Sequence, residues 1–132
     1  QKPEGAAWKH DISVPVSKVA DFIDQATAAV ERLSPGVRVV AFGHVGDGNV
    51  HYDVLRPDGG LDDAHDVLRD EGARIVHDIV AAMDGSISAE HGLGTMKSAE
   101  ALRYKSAVEI EALRAIRATL DPTRIMNPRV LF

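Results

Sequence analysis

The residues best suited to chemistry in this chain are His44 and His51, which lie on either side of an Asp-Gly dipeptide at 47–48. An Asp-Gly pair between β-forming runs predicts a hairpin with a two-residue turn, because both residues tolerate a positive φ angle. That turn would pair His44 with His51 and place their Cβ atoms roughly 5 Å apart on one sheet face. Imidazoles so placed can share a divalent metal or a substrate, whereas a ligand-free pair is the plainer interpretation. Asp53 is expected on the same face, because side chains alternate along a strand.

The dipeptide Glu90-His91 is the second candidate, because a predicted strand gives way there to a loop with glycines at 92 and 94. Loops on a rigid scaffold often aim side chains at a site. The Glu90 carboxylate would complete a His-His-Glu set like those of open catalytic zinc sites, and His91 would remain as a general base. A surface Glu-His pair before a turn is the plainer interpretation. The glycines fit no nucleotide-binding fingerprint and favour a close approach of the backbone to another domain or ligand.

The composition is that of one globular domain without thiol chemistry. The chain has 132 residues, 45% of them hydrophobic and 27% charged, with a formal net charge of −5 and no cysteine. Lys and Arg are scattered, which argues against a nucleic-acid surface. No apolar run approaches the roughly 20 residues of a membrane span and no signal peptide is visible, so a cytoplasmic protein is expected. The sequence does not begin with Met, so we expect a piece of a longer protein. Self-association into a homo-oligomer stays open.

Hydrophobic periodicity predicts an α+β fold of the ferredoxin-like type. Strands are predicted over 8–14, 37–44, 50–55 and 86–89, and helices over 16–33, 62–83, 95–103 and 106–120. Residues 1–7 are expected to form a linker or a frayed end. The order β-α-β-β-α-β predicts an antiparallel sheet with helices on one face, a second face free to cover a site, and C-terminal helices beyond. In the strand order 4-1-3-2 usual for this fold, Glu90 must reach the histidines across the first strand or from a loop beyond the sheet end.

Three motifs, with their order and spacing, resemble the C-terminal domain of FAD-linked oxidases. They are GHVGDGNVH at 43–51, SISAEHGLG at 86–94, and an ending that runs from LDP at 120–122 to MNP at 126–128. The opening KHDISVP at 9–15 also fits. The resemblance covers residues 8–132 and points to the group of D-lactate dehydrogenase, D-2-hydroxyglutarate dehydrogenase and the glycolate oxidase FAD subunit, among the vanillyl-alcohol-oxidase-type flavoproteins. In that group the FAD is held mainly by a separate N-terminal domain, and the C-terminal domain covers the flavin ring.

The resemblance implies that this chain helps to oxidise a D-2-hydroxy acid to the 2-oxo acid, with hydride transfer to FAD. The implied ligands of a divalent metal, such as zinc or manganese, are His44, His51 and Glu90. The implied base that removes the 2-hydroxyl proton is His91. As a cap, the chain would have the FAD-binding domain of the same protein as its partner and would be inactive without it.

Three further residues are implied contacts of the substrate or the flavin. Lys9, which has the opposite strand parity from Trp8, is an implied contact of the substrate carboxylate, although a solvated lysine is the usual case at such a position. Asp53 stands where metal-dependent relatives often have Asn, so its carboxylate changes the charge of the substrate site or binds metal itself. Asn127 is implied to lie near the flavin, but Arg129 replaces the Gly that commonly follows the Asn-Pro pair.

Two other functions stay open on the residues alone. One is a non-catalytic, ferredoxin-like module that binds a metal or a small molecule by itself. The other is a stand-alone metallohydrolase, in which Glu90 serves as the third ligand and His91 as the base that activates water.

Overall fold

The computed structural model describes residues 6–58, 60–95 and 97–130, and within them the chain forms three strands and five helices. The strands are β1 (Ala7–Ser13), β2 (Arg38–Phe42) and β3 (Asn49–Leu55). The helices are α1 (Val19–Leu33), α2 (Asp62–Val67), α3 (Arg69–Ala82), α4 (Ser98–Tyr104) and α5 (Ala107–Leu120). The chain divides into two compact units, Gln1–Glu90 and His91–Phe132. The predicted α+β class is confirmed.

The strands of the first unit form an antiparallel sheet in the order β1-β3-β2. Tyr52 of the central strand lies between His10 of β1 and Ala41 of β2. Because side chains alternate along a strand, these residues point to one face and His51 points to the other. Helix α1 covers the Tyr52 face, where the Phe22 ring lies 5.4 Å from the Tyr52 ring. The opposite face, called the His51 face from here on, carries the odd-numbered residues of β1 and β3.

Trp8 holds α2 and α3 on the Tyr52 face. Its ring stacks on the imidazole of His65 in α2, with centroids 4.2 Å apart and an interplanar angle of 6°. Its indole N–H also donates to the His65 carbonyl at 2.9 Å. A Cβ on Gly72 of α3 would lie 2.5 Å from the Trp8 ring, so only glycine permits this approach. Helix α1 completes the core with a stripe at helical spacing, made of Val19, Phe22, Ala26 and Val30.

The predicted pairing of His44 with His51 is wrong. Phe42 lies opposite His51, and residues 43–48 form a longer connection between β2 and β3. Within it, Val45–Asp47 make one turn of 3₁₀ helix that places His44 at its N-terminal end. His44 therefore stands on a loop and not on the sheet.

Tertiary contacts at Gly48 explain why the two-residue turn does not form. A type I′ turn needs positive φ at both central residues, but of the Asp-Gly pair only Gly48 has it, at +77°. The Gly48 carbonyl accepts a hydrogen bond from the Val14 N–H at 3.1 Å. A Cβ on Gly48 would lie 2.0 Å from the Val14 carbonyl oxygen. The loop is thus fitted against the end of β1, a contact that local turn preferences do not include.

The predicted strand over 86–89 is not formed. Ser86 makes only an isolated antiparallel bridge with Ser13, with N–O distances of 2.9 and 2.8 Å. The Ser86 hydroxyl donates to the Ser88 carbonyl at 2.9 Å and accepts from its N–H at 3.3 Å. Such local side-chain bonds compete with a strand ladder for the backbone groups. Among the described residues the sheet therefore has three strands, and the full ferredoxin-like topology is not present.

The long helix predicted over 62–83 is divided at Leu68 into α2 and α3. Both parts pack against Trp8, but in different ways: His65 of α2 stacks on its ring and hydrogen-bonds the Val54 carbonyl at 3.0 Å, whereas the α3 backbone approaches the ring at Gly72. At the other end of the unit, Ala7 lies inside the predicted linker but opens β1. Residues 1–5 of that linker lie outside the described ranges.

The second unit contains α4, α5 and a C-terminal turn. Helix α5 begins with a capping box, in which the Ser106 hydroxyl accepts from the Glu109 N–H at 3.2 Å and the Glu109 carboxylate accepts from the Ser106 N–H at 2.9 Å. The backbone hydrogen bond lowers the pKa of Glu109. None of the helices in the described ranges is long and apolar enough to cross a bilayer.

Candidate functional site

His44 and His51 converge on the carboxylate of Glu90, although they do not pair across the sheet. The Nδ1–H of His44 donates to Oε1 of Glu90 at 2.9 Å. The Nε2 of His51 lies 3.7 Å from Oε2 of the same carboxylate. The amide of Asn49 donates to Oε1 at 3.4 Å. The structure thus brings together the three residues whose spacing suggested a shared site, and it adds Asn49.

A different element positions each of these side chains. His51 belongs to β3, His44 to the loop 43–48, and Glu90 to the segment that follows the bridge at Ser86. This segment continues along the outer edge of β1, where the Ala89 N–H donates to the Asp11 carbonyl at 3.3 Å. Glu90 therefore reaches the histidines across the first strand, which is one of the two routes expected from the strand order.

The hydrogen bond between His44 and Glu90 shifts the pKa of both groups. Bonding to Glu90, and then attraction to its charge, raises the pKa of His44 above its ordinary value. The same bond lowers the pKa of Glu90, although partial desolvation opposes the shift. The pair therefore favours the imidazolium–carboxylate form. Because 71% of the His44 side chain and 34% of the Glu90 side chain are exposed, solvent and salt screen this interaction.

Asp11 is a site residue that the sequence reasoning did not single out. It is only 5% exposed and lies directly opposite His51 in the sheet. Its Oδ1 is 3.8 Å from the Nδ1 of His51, and the Phe42 ring lies 5.1 Å from the His51 ring. The sequence contains one indication of this role, since Asp11 lies two residues after the candidate Lys9 and therefore points to the same face of the strand. The pairing register that brings it beside His51 cannot be obtained from parity alone.

Lys9 and Asp53 are directly opposite each other in β1 and β3, on the His51 face. Lys9 is exposed, as a residue that contacts an anionic ligand must be. Asp53 is only 3% exposed, so little of its side chain is open to a ligand. The sequence placed Asp53 on the face of His51, and the register confirms that placement. The roles of Lys9 and Asp53 in substrate binding stay predictions.

The other two predicted site residues, His91 and Asn127, belong to the second unit. His91 is exposed and directly follows Glu90 in the chain. Asn127 has a positive φ of 42°, and its carbonyl accepts from the Arg117 guanidinium at 3.1 Å. Asp121 folds the same turn, because its buried carboxylate accepts backbone N–H bonds at 3.0 Å from Ile125 and Met126. The roles of His91 as base and Asn127 as flavin contact stay predictions.

The donor groups of the site suit a borderline divalent cation, because imidazole nitrogen and carboxylate oxygen both bind zinc and manganese. In the part of the chain that the structure describes, however, no set of three or more His, Cys, Asp or Glu side chains is arranged to hold a metal ion. His44 and Glu90 instead bind each other. As it stands, the arrangement is an acid–base pair, and a cation must displace the shared proton to bind both groups.

Comparison with known proteins gives a family match over nearly the whole chain. A family model described as FAD linked oxidases, C-terminal domain, matches residues 1–131. The D-2-hydroxyglutarate dehydrogenase of Xanthomonas citri pv. viticola is 38% identical over 125 residues, which are 95% of this chain and 26% of the relative. That of Stutzerimonas stutzeri is 41% identical over 126 residues, 95% of this chain and 27% of the relative.

A vertebrate relative is similar over the same share of the chain. The mitochondrial D-2-hydroxyglutarate dehydrogenase of Danio rerio is 35% identical over 125 residues, 95% of this chain and 22% of the relative. The chain therefore spans about a quarter of the length of these three relatives. All three are named D-2-hydroxyglutarate dehydrogenase, and that enzyme is a member of the group that the sequence motifs resemble.

Proposed function

Because the chain belongs to the family of C-terminal domains of FAD-linked oxidases, we propose that it is the substrate domain of a flavin-dependent dehydrogenase that oxidises a D-2-hydroxy acid. The names of the relatives make D-2-hydroxyglutarate the first candidate substrate. The FAD-binding part would belong to a longer protein, since this chain spans about a quarter of those relatives. The observation that carries the proposal is the convergence of His44 and His51 on Glu90, beside an exposed Lys9.

Different residues of the chain would bind the 2-hydroxy acid, remove its proton and contact the flavin. The ammonium of Lys9 pairs with the substrate carboxylate and orients it over the His51 face. His91 accepts the 2-hydroxyl proton as general base. FAD, when bound, supplies the acceptor for the hydride that leaves C2, so the products are the 2-oxo acid and reduced flavin. Asn127 is proposed to lie near that flavin.

The same residues fit a divalent metal by their chemistry. His44, His51 and Glu90 would hold it, since two imidazoles and one carboxylate form a ligand set known from catalytic zinc sites. Such a metal, when bound, lowers the pKa of a hydroxyl that it contacts. The proton shared by His44 and Glu90 occupies the place between two of these ligands, so metal uptake requires its release. Zinc and manganese are the proposed ions.

The test is reduction of protein-bound flavin in the longer flavoprotein that carries this domain. Under anaerobic conditions, D-2-hydroxyglutarate should bleach the flavin absorbance, and chelator treatment should slow the reaction. The variant His91→Ala should slow it about 100- to 10,000-fold if the imidazole is the base. A stopped-flow spectrophotometer measures both. Should D-2-hydroxyglutarate, D-lactate and glycolate all leave the flavin oxidised, the proposed activity is wrong.

A matched control separates the site from general damage. Glu111 is an exposed glutamate on α5, so Glu111→Gln should leave the flavin reduction rate unchanged. Glu90→Gln should instead weaken metal retention, measured by metal analysis of the purified protein. If Glu90→Gln keeps its metal and its rate as Glu111→Gln does, then Glu90 is not a ligand.

A further inference from the structure

Asp11 is a buried acidic side chain directly beside the convergence of His51 and Glu90. A carboxylate that is 5% exposed loses most of its hydration, so it needs hydrogen-bond donors in return. The Glu90 N–H supplies one, shared between Oδ2 at 3.0 Å and Oδ1 at 3.3 Å. A carboxylate has about four acceptor sites, so Asp11 can bond to this N–H and to another donor at the same time.

The second group that faces this carboxylate is the imidazole of His51. Asp11 and His51 are cross-strand partners, and Oδ1 of Asp11 is 3.8 Å from Nδ1 of His51. The other ring nitrogen, Nε2, lies 3.7 Å from Oε2 of Glu90. At 3.8 Å the gap exceeds a normal N–O hydrogen bond by about 0.8 Å, so a bond between Nδ1 and Asp11 requires the two groups to approach by that amount.

Resting on the proposed function, we propose that Asp11 is the positioning residue of this site. One buried carboxylate fixes the main chain of Glu90 and keeps the proton of His51 on Nδ1. The lone pair of His51 Nε2 is thereby directed towards Glu90 and towards the cation or substrate oxygen between them. A carboxylate behind a histidine commonly sets its tautomer in this way.

If Asp11 only stabilised the fold, its replacement would leave the tautomer of His51 unchanged. The tautomer of His51 is therefore the readout of the test. In the metal-free 132-residue chain, long-range ¹H–¹⁵N correlation spectra at a pH above the titration range of histidine report which ring nitrogen carries the proton. Wild-type His51 should carry it on Nδ1. In Asp11→Asn the amide NH₂ faces His51 as a donor, so the proton should move to Nε2.

Metal affinity gives a second readout with the metal alone as probe. The absorbance of Co²⁺ added to the chain should show binding about 10- to 100-fold weaker in Asp11→Asn than in wild type. Asp121→Asn is the matched control, because Asp121 is also a buried aspartate that accepts two backbone N–H bonds, from Ile125 and Met126. It should lower stability while leaving both the His51 tautomer and Co²⁺ affinity unchanged.

These experiments distinguish failure of the inference about Asp11 from failure of the proposed function. A wild-type His51 protonated on Nε2, or the same tautomer in wild type and Asp11→Asn, overturns the inference even if flavin reduction succeeds. Should Asp11→Asn fail to fold, the wild-type spectrum alone decides. If the tautomer follows Asp11 but no 2-hydroxy acid reduces the flavin, the positioning role stands and the proposed activity fails.

Discussion

The pair formed by His44 and Glu90 has a pH range set by the directions of its two pKa shifts. The pKa of His44 is raised above 6.5, so its stabilising contribution is complete below about pH 6.5 and is lost as pH rises through the folded-state value. The pKa of Glu90 is lowered from 4.5, so its contribution is complete above about pH 4.5 and is lost as pH falls through the folded-state value. The pair is therefore fully formed between these limits.

This pair can be checked by titrating His44 in the metal-free chain. Its ring resonances should titrate with a pKa above that of a free histidine, and Glu90→Gln should return the pKa towards the ordinary value, because the bond to Glu90 is its main cause. The shift should shrink at high salt, since both side chains contact solvent. Nuclear magnetic resonance follows the individual ring. An unchanged His44 pKa in Glu90→Gln would contradict the contact between the two side chains.

Residue types and spacing offered His44, His51 and Glu90 as a candidate set, and the family resemblance favoured that set over the plainer interpretation of unrelated surface residues. The predicted hairpin register would have placed both histidines on strands. The structure joins them through Glu90 instead, with His44 on a loop. Asp11 was missed because its importance depends on cross-strand register and on the path of residues 86–90, neither of which is a local property.

At the scale of elements, the loop 43–48 is sensitive to substitution at Gly48. Gly48→Ala should lower the free energy of unfolding by on the order of 2–4 kcal/mol, because it combines a positive φ with a Cβ 2.0 Å from the Val14 carbonyl oxygen. Urea denaturation measures the change. His44 should also lose its contact with Glu90, so its pKa should fall in the variant if that still folds.

Gly46→Ala is the control for that experiment. A Cβ on Gly46 would have no heavy atom within 4 Å, and the residue lies inside the 3₁₀ turn. Its effect should be within about 0.5 kcal/mol, as for most surface substitutions. Equal destabilisation by Gly46→Ala and Gly48→Ala would show that the loop does not depend on the approach to Val14.

Elements with long periodic patterns were predicted well, and those that depend on tertiary contacts were not. The helical stripe of α1 is a strong local signal and the alternation of β1 is a looser one, and both elements are present. The segment 86–89 was predicted as a strand, but Ser86 bonds to Ser88 and the segment forms only an isolated bridge with β1. The division of the second long helix at Leu68 follows from packing against Trp8, which no helical periodicity reveals.

At the scale of the whole chain, the junction of the two units falls within the site motif itself. Glu90 ends the first unit and His91 begins the second. Residues 91, 92, 94 and 95 are exposed, and Gly92 and Gly94 have positive φ with open space where a Cβ would stand. Exposed segments with small residues are preferred sites of proteolytic cleavage. We expect a protease of broad specificity to cut first between 91 and 95.

Mass spectrometry of a timed digest would locate that first cut. The product that ends near residue 91 retains His44, His51, Glu90 and Asp11, so its Co²⁺ affinity should remain close to that of the intact chain. First cuts within the loop 43–48 would contradict the prediction, because that loop is fitted against β1. Loss of Co²⁺ binding on cleavage would show that the second unit contributes a ligand.

The stack of Trp8 on His65 also makes the first unit optically distinct. Trp8 is the only tryptophan in the sequence, is 1% exposed, and lies in the core between the sheet and its helices. Fluorescence excited at the red edge of protein absorption therefore comes from that core alone, whereas helical circular dichroism comes from both units. Comparing the two signals during unfolding separates the loss of the site-bearing core from the melting of α4 and α5, without a label or a mutation.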